Sequence, residues 1–198
     1  MTDPLSLEAL KGPALVMVAW FTVYYALMVL QLTTRSAAIK RTQSRGEVFD
    51  RYQPKDHGAI MGDRTFLNAQ EQSLPFVCAL WSCSIFVSPS LATVLGSAAV
   101  ASRVLFPILW SLGPDGKWSM LVELSTQPWY VCVYGMLGSV AVWAVSGVNL
   151  GEEHWAVVAL ACLGLYLGGF GLGALLGAAL HGLTRGAYER GGDSDDDV

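Results

Sequence analysis

Gly62–Phe106 reads GDRTFLNAQEQSLPFVCALWSCSIFVSPSLATVLGSAAVASRVLF, and inside it Gln72–Ser102 carries no charge for 31 residues. A bilayer-crossing helix needs roughly 20 mainly apolar residues, so two crossings need about 40. Ser88-Pro89-Ser90 breaks the run with a tight-turn signal. Two consecutive helices must therefore reach past both ends of the run. The first takes in Asn68 and Glu71, and the second takes in Arg103. Polar groups are thus drawn into the membrane by length alone.

Working outward, the rest of the 198-residue chain fits the same setting. It is 53% hydrophobic and only 14% charged, against about 25% charged in a soluble domain, and its mean hydropathy is +0.44. Seven of its 12 Lys and Arg residues fall between Arg35 and Arg64. No basic face for nucleic acid remains elsewhere. The four cysteines lie within apolar stretches and lack metal-ligand spacing, so they read as small hydrophobes.

Gly12–Thr34 is uncharged and follows a non-basic leader, which marks a retained first span rather than a signal peptide. Ser125, Thr126 and Pro128 look like a helix start and open a fourth span at Gln127–Gly147. Trp155–Thr184 offers a glycine-rich fifth. The expectation is an all-α polytopic membrane bundle. An N-terminal segment, 1–11, precedes a membrane domain, 12–184, with spans at about 12–34, 68–87, 91–112, 127–147 and 155–183. Four of the 16 acidic residues crowd into the last six positions, so 185–198 reads as an acidic disordered tail. Five spans place the Arg35–Arg64 loop, the 111–126 loop and the C-terminal segment together on the cytoplasmic side. Trp118, Trp129 and Trp155 read as interfacial anchors.

Arg64, Asn68, Glu71 and Pro75 recur at helical spacing and share one face. Ionisable residues at membrane depth avoid lipid, so this stripe should face the bundle interior or a wet cavity. Arg103 lies about 12 residues into its helix, roughly 18 Å along the axis. That matches the depth of Glu71 on the antiparallel neighbour, and the spacing predicts that Arg103 pairs with Glu71 or an equivalent acceptor. Guanidinium groups grip carboxylates bidentately, so a cavity holding Arg64, Asn68 and Arg103 would suit an anionic ligand. Two plainer readings stay open: headgroup anchoring by the stripe, and a structural ion pair locking the two helices.

The segment GDRTFLNAQEQSLPFVCALW resembles the second-span signature of the MAPEG family, the membrane-associated proteins of eicosanoid and glutathione metabolism. AVASRVLFPILW looks like the family's third span, with Arg103 as its intramembrane arginine, and STQPWY precedes the fourth. The resemblance covers about residues 12–147. It implies a four-helix core in each subunit of a homotrimer, to which this chain adds a fifth C-terminal transmembrane helix. It also implies glutathione as cofactor, bound between subunits by Arg35, Arg64, Asn68, Glu71 and Arg103. The implied chemistry is transferase or peroxidase attack of the glutathione thiolate on a membrane lipid or small hydrophobic electrophile. The endoplasmic reticulum, or another endomembrane, is the implied location for a eukaryotic source.

The chain departs from the family pattern where the thiol would be activated. Phe106 and Trp110 stand where tyrosines are expected after the third-span arginine. Lys117 corresponds to a further arginine, which leaves Lys117 and Arg35 as the candidate catalytic residues. Small residues four apart in the fifth span, from Gly164 through Gly177, suggest a face for a helix partner. His181 near its end reads as an interfacial residue. Two functions follow: a glutathione-binding enzyme, or a non-catalytic membrane subunit or lipid-binding adaptor that keeps the polar cluster for bundle stability.

Overall fold

The computed structural model describes residues 7–52, 54–113 and 119–192. Five long helices account for nearly all of them: α1 (Lys11–Ser44), α2 (His57–Phe86), α3 (Pro89–Ser111), α4 (Met120–Ser146) and α5 (Trp155–Gly192). A short 3-10 turn, Leu150–Glu152, precedes α5. The expected all-α polytopic bundle is what the chain forms.

The helices are longer than the spans. At 1.5 Å per residue, the 34 residues of α1 reach about 51 Å, whereas the hydrocarbon layer is about 30 Å thick. The segment Arg35–Ser44, expected as loop, continues α1 because its Ala, Lys, Arg and Gln residues favour helix. Likewise α2 starts at His57, well before the expected entry near Asn68. Two guanidinium–carboxylate forks hold these helix ends together. Arg35 donates to both oxygens of Asp63 at 2.7 and 2.9 Å, and Arg41 donates to both oxygens of Asp56 at 3.0 and 2.9 Å. Asp56 also caps α2 by accepting from the Ala59 N–H at 3.1 Å. The absence of charge marks where lipid begins, not where a helix ends.

Four of the helices, α1, α3, α4 and α5, are long and apolar enough to cross a membrane unaided. The exception is α2, whose first half carries Asp63, Arg64, Asn68 and Glu71. It packs along α1, α3 and α4 all the same. The α2–α3 turn is the expected one: Ser88 caps α3 by accepting from the Leu91 N–H at 3.3 Å, and Pro89 opens the helix.

Two expectations are corrected around α4. The helix starts at Met120, not near Gln127, and Pro128 lies inside it. Ser125 does not cap; its hydroxyl donates to the Ser102 carbonyl of α3 at 2.6 Å, clamping the two helices. Trp129 is no interfacial anchor. It is fully buried, and its ring lies 4.9 Å from both Trp20 and Phe76. These three rings form the centre of the core, which in a membrane is held by packing rather than by water exclusion. Trp118 lies outside the described residues. Of the cysteines, Cys83, Cys132 and Cys162 are buried as expected and Cys78 is exposed.

Gly147 ends α4 in the left-handed conformation, φ 74°, with its N–H on the Trp143 carbonyl. α5 then packs on α4, and its Val158 and Cys162 join the buried core. Glycines on both helices allow the close approach: on α5, a Cβ at Gly169 would meet the Tyr134 ring at 2.6 Å. A Cβ at Gly135 would meet Cys162 Sγ at 2.5 Å, and one at Gly138 would strike the Leu165 side chain. Gly164, Gly168, Gly171, Gly173 and Gly177 meet nothing within 4 Å. α5 runs on to Gly192, past the position where the tail was expected to begin, and residues 193–198 lie outside the described set.

The α1–α2 contact is tight enough to predict a mutational effect. A Cβ at Gly62 would meet the Gln31 Cα at 3.1 Å and crowd Thr34 Oγ1. Backbone cannot swing aside as a side-chain tip can. Gly62→Ala is therefore expected to cost about 1–3 kcal/mol, read as a lowered thermal midpoint in detergent micelles.

Candidate functional site

A cavity of about 460 Å³ opens between α2, α3 and α4. Arg64, Leu67, Asn68 and Glu71 line it from α2, Phe106 and Trp110 from α3, and Val122, Glu123 and Thr126 from α4. The helical spacing of the α2 stripe thus brings three of the expected residues to one cavity wall. Arg64, Glu71 and Pro75 are exposed on the single chain, and Asn68 is half-buried. Arg64 and Glu71 make no hydrogen bond or ion pair among the described residues. Both charges are available to a ligand or to a second chain.

Arg103 stands behind this wall rather than in it. It is 1% exposed. Its Nη1 donates to Asn68 Oδ1 in a short hydrogen bond. The guanidinium carbon sits 4.5 Å above the Trp129 ring and 5.5 Å from the Phe106 ring. No ion pair joins it to Glu71. The equivalent acceptor is Asn68, one turn earlier on α2, because aromatic faces occupy the remaining approaches. A cation over a desolvated ring is stabilised by the ring quadrupole, by about 2 kcal/mol. Arg103 Nε and Nη2 are buried without a hydrogen-bond partner.

Arg35 is not brought to this cavity. It lines a neighbouring one of about 500 Å³ with Gln31, Tyr52, Asp63 and Arg64. Its fork to Asp63 is joined by the Gln31 amide, which donates to Asp63 Oδ1 at 3.0 Å. Arg64 and Leu67 line both cavities and form the ridge between them. Lys117, the other candidate for thiol activation, lies outside the described residues.

Sequence reading missed Asp63 and Glu123. Asp63 is 28 positions from Arg35, and no spacing rule links the two. Glu123 sits one helical turn before Gln127, a pairing visible in sequence once α4 is known to start at Met120. Phe106 and Trp110 stack at 6.0 Å and pack with Val122 to close the α3 side of the cavity.

Where the C-terminal end of α1 meets the start of α2, burial alone would raise the Asp56 carboxyl. The Ala59 N–H and the Arg41 guanidinium outweigh burial and hold it below the ordinary 3.8. A depressed acid contributes stability that is full above its unfolded value and lost as pH falls through the folded one. Below about pH 4 the α1–α2 ends are therefore expected to loosen. Amide exchange at Ala59 and Ile60 should accelerate there, and Asp56→Asn should show the faster exchange already at neutral pH.

The fold and cavity define a polytopic helical membrane protein with a charged pocket between its second, third and fourth helices. The model of the MAPEG family matches residues 13–147, about two thirds of the chain. This chain belongs to the MAPEG family. No curated protein and no solved structure gives a match. The matched segment ends at Gly147, the cap of α4, so α5 lies beyond it.

Proposed function

We propose that this integral membrane protein binds glutathione in the α2–α3–α4 cavity. The observation that carries the reading is the convergence of Arg64, Asn68 and Glu71 on one cavity wall, with Asn68 held from behind by buried Arg103. Glutathione offers carboxylates to Arg64 and an ammonium to Glu71. The apolar remainder, Leu67, Phe106, Trp110 and Val122, suits a hydrophobic electrophile or lipid beside it. The chemistry that follows is transferase or peroxidase attack by the thiolate. The stripe's exposure on the single chain supports completion of the site by further copies, in a homotrimer as the family resemblance implies. An endomembrane such as the endoplasmic reticulum is the matching location in a eukaryote.

One observation favours a second reading, a non-catalytic subunit or lipid-binding adaptor. Phe106 and Trp110 line the cavity without a hydroxyl, and Arg35 is already engaged by Asp63. In that reading the open glycines of α5 take a helix partner. Glutathione binding and conjugation of an aryl halide by the detergent-purified protein separate the two. Binding with turnover supports the enzyme; binding without turnover supports the adaptor. Glu71→Gln should weaken glutathione binding about tenfold or more; unchanged binding would place the ligand elsewhere.

A further inference from the structure

The helix that lies beyond the family match is wired to the cavity. Tyr166 of α5 is buried, and its hydroxyl donates to Gln127 Oε1. Gln127 Nε2 in turn donates to Glu123 Oε2, four residues earlier on α4. The direction of this chain is fixed. A carboxylate at neutral pH only accepts, so Gln127 must present its NH₂ to Glu123 and its carbonyl to Tyr166. Rotating the amide by 180° would set carbonyl against carboxylate and NH₂ against the phenolic O–H. In an apolar surround such a mismatch is costly, so the geometry is held.

The α5 end of the chain is set by packing. The Tyr166 ring lies 6.0 Å from Tyr134 in an edge contact and 5.9 Å from Phe170. The α4–α5 approach at Gly135 and Gly138 leaves little room for α5 to shift. The other end, Glu123, lines the cavity with Arg64, Asn68 and Glu71. That cavity therefore has carboxylates on two walls and a guanidinium on one of them. A carboxylate held on the α4 wall is suited to receive the ammonium of a bound glutathione.

We infer that Glu123 is an ammonium-binding residue of the cavity, and that Gln127 and Tyr166 are positioning residues through which the fifth helix fixes its carboxylate. The inference rests on the glutathione reading and deepens it by assigning a second acid and a role for α5. Gln127 and Tyr166 touch no ligand; they act through Glu123. A salt-bridged ammonium is worth about tenfold or more in affinity, and loosening the carboxylate should forfeit part of that.

The test compares glutathione with its glutaryl analogue, which lacks only the α-ammonium, by calorimetric titration of the full-length protein in detergent. The wild type should prefer glutathione about tenfold or more. Glu123→Gln should lower that preference several-fold, with Glu71 on the α2 wall retaining the rest. Tyr166→Phe, which keeps the ring packing, should remove part of it while leaving the analogue's affinity unchanged. A merely structural role would lower both affinities together. If Tyr166→Phe fails to fold, Gln127→Met breaks the same relay at its middle. An unchanged preference in Glu123→Gln, with glutathione still bound, overturns the ammonium site and leaves the glutathione reading standing. A preference lowered in Glu123→Gln but intact in both relay variants overturns the role of α5. Failure of the wild type to bind either compound overturns the glutathione reading and this subsite together.

Discussion

Arg103→Ala is expected to destabilise the bundle by about 3–5 kcal/mol, a large part of the 5–15 kcal/mol typical of a domain. Arg103 is among the largest fully buried side chains. Its removal opens a void against Trp129 and Phe106 and strips Asn68 of its donor. The core cannot close easily over the gap, because Trp20, Phe76 and Trp129 already pack ring against ring. Arg103→Met supplies the contrast. It fills much of the volume without a charge, and replacing a buried charge by a shape-matched apolar group is often neutral. The Met variant should keep most of the wild-type thermal midpoint yet bind glutathione more weakly, because Asn68 is no longer oriented. Equal stability of the Ala variant and the wild type would show that Arg103 does not hold the core.

The same geometry lets Arg103 hold the core without consuming the charge of Glu71. Its charge is met by an amide and an aromatic face rather than by a carboxylate. Glu71 therefore keeps its own charge for the cavity, one turn along α2 from the amide that Arg103 grips. A direct Arg103–Glu71 pair would have neutralised the wall that the ligand is proposed to meet.

Much of this was legible in the chain itself. The 31-residue uncharged run forced polar groups into α2 and α3: Asn68 and Glu71 line the cavity, and Arg103 stands behind its wall. Helical spacing placed Arg64, Asn68 and Glu71 on one wall, and Ser88-Pro89 marked the α2–α3 turn. Helix ends were less legible, because α1 and α2 extend beyond the lipid on charged, helix-favouring sequence that hydropathy reads as loop. Pro128 misled in the opposite sense. Proline inside a membrane helix is tolerated when neighbours satisfy the freed groups, so it marked no boundary. Trp129 looked like a boundary residue for the same reason: it follows that false start, and only the packing of α4 against α2 and α3, with the Trp20 ring of α1 against it, shows it as core. The Arg35–Asp63 fork is tertiary and no local pattern encodes it, whereas the Glu123–Gln127 pair is local and was hidden only by the misplaced start of α4.

The second large effect is expected at Arg64, and its value lies in the contrast with Arg35. Arg64 is exposed, lines both cavities and makes no ion pair among the described residues. Among the described residues nothing depends on it for packing. Arg64→Ala should leave the thermal midpoint close to wild type and weaken glutathione binding about 10- to 150-fold, the loss of a charged hydrogen-bonding partner. Arg64→Lys should recover only part of this, because an ammonium cannot reproduce a bidentate grip. Arg35 should behave the other way round. Its guanidinium is already committed to Asp63, itself tied to Gln31. Arg35→Ala should lower stability and strand a half-buried carboxylate, while Asp63→Asn combined with it should cost less than the two changes summed. Should Arg35→Ala instead abolish glutathione binding at unchanged stability, with Arg64→Ala silent, the ligand would have to sit in the Arg35–Asp63 cavity, and the α2 stripe would serve the contact between copies of the chain.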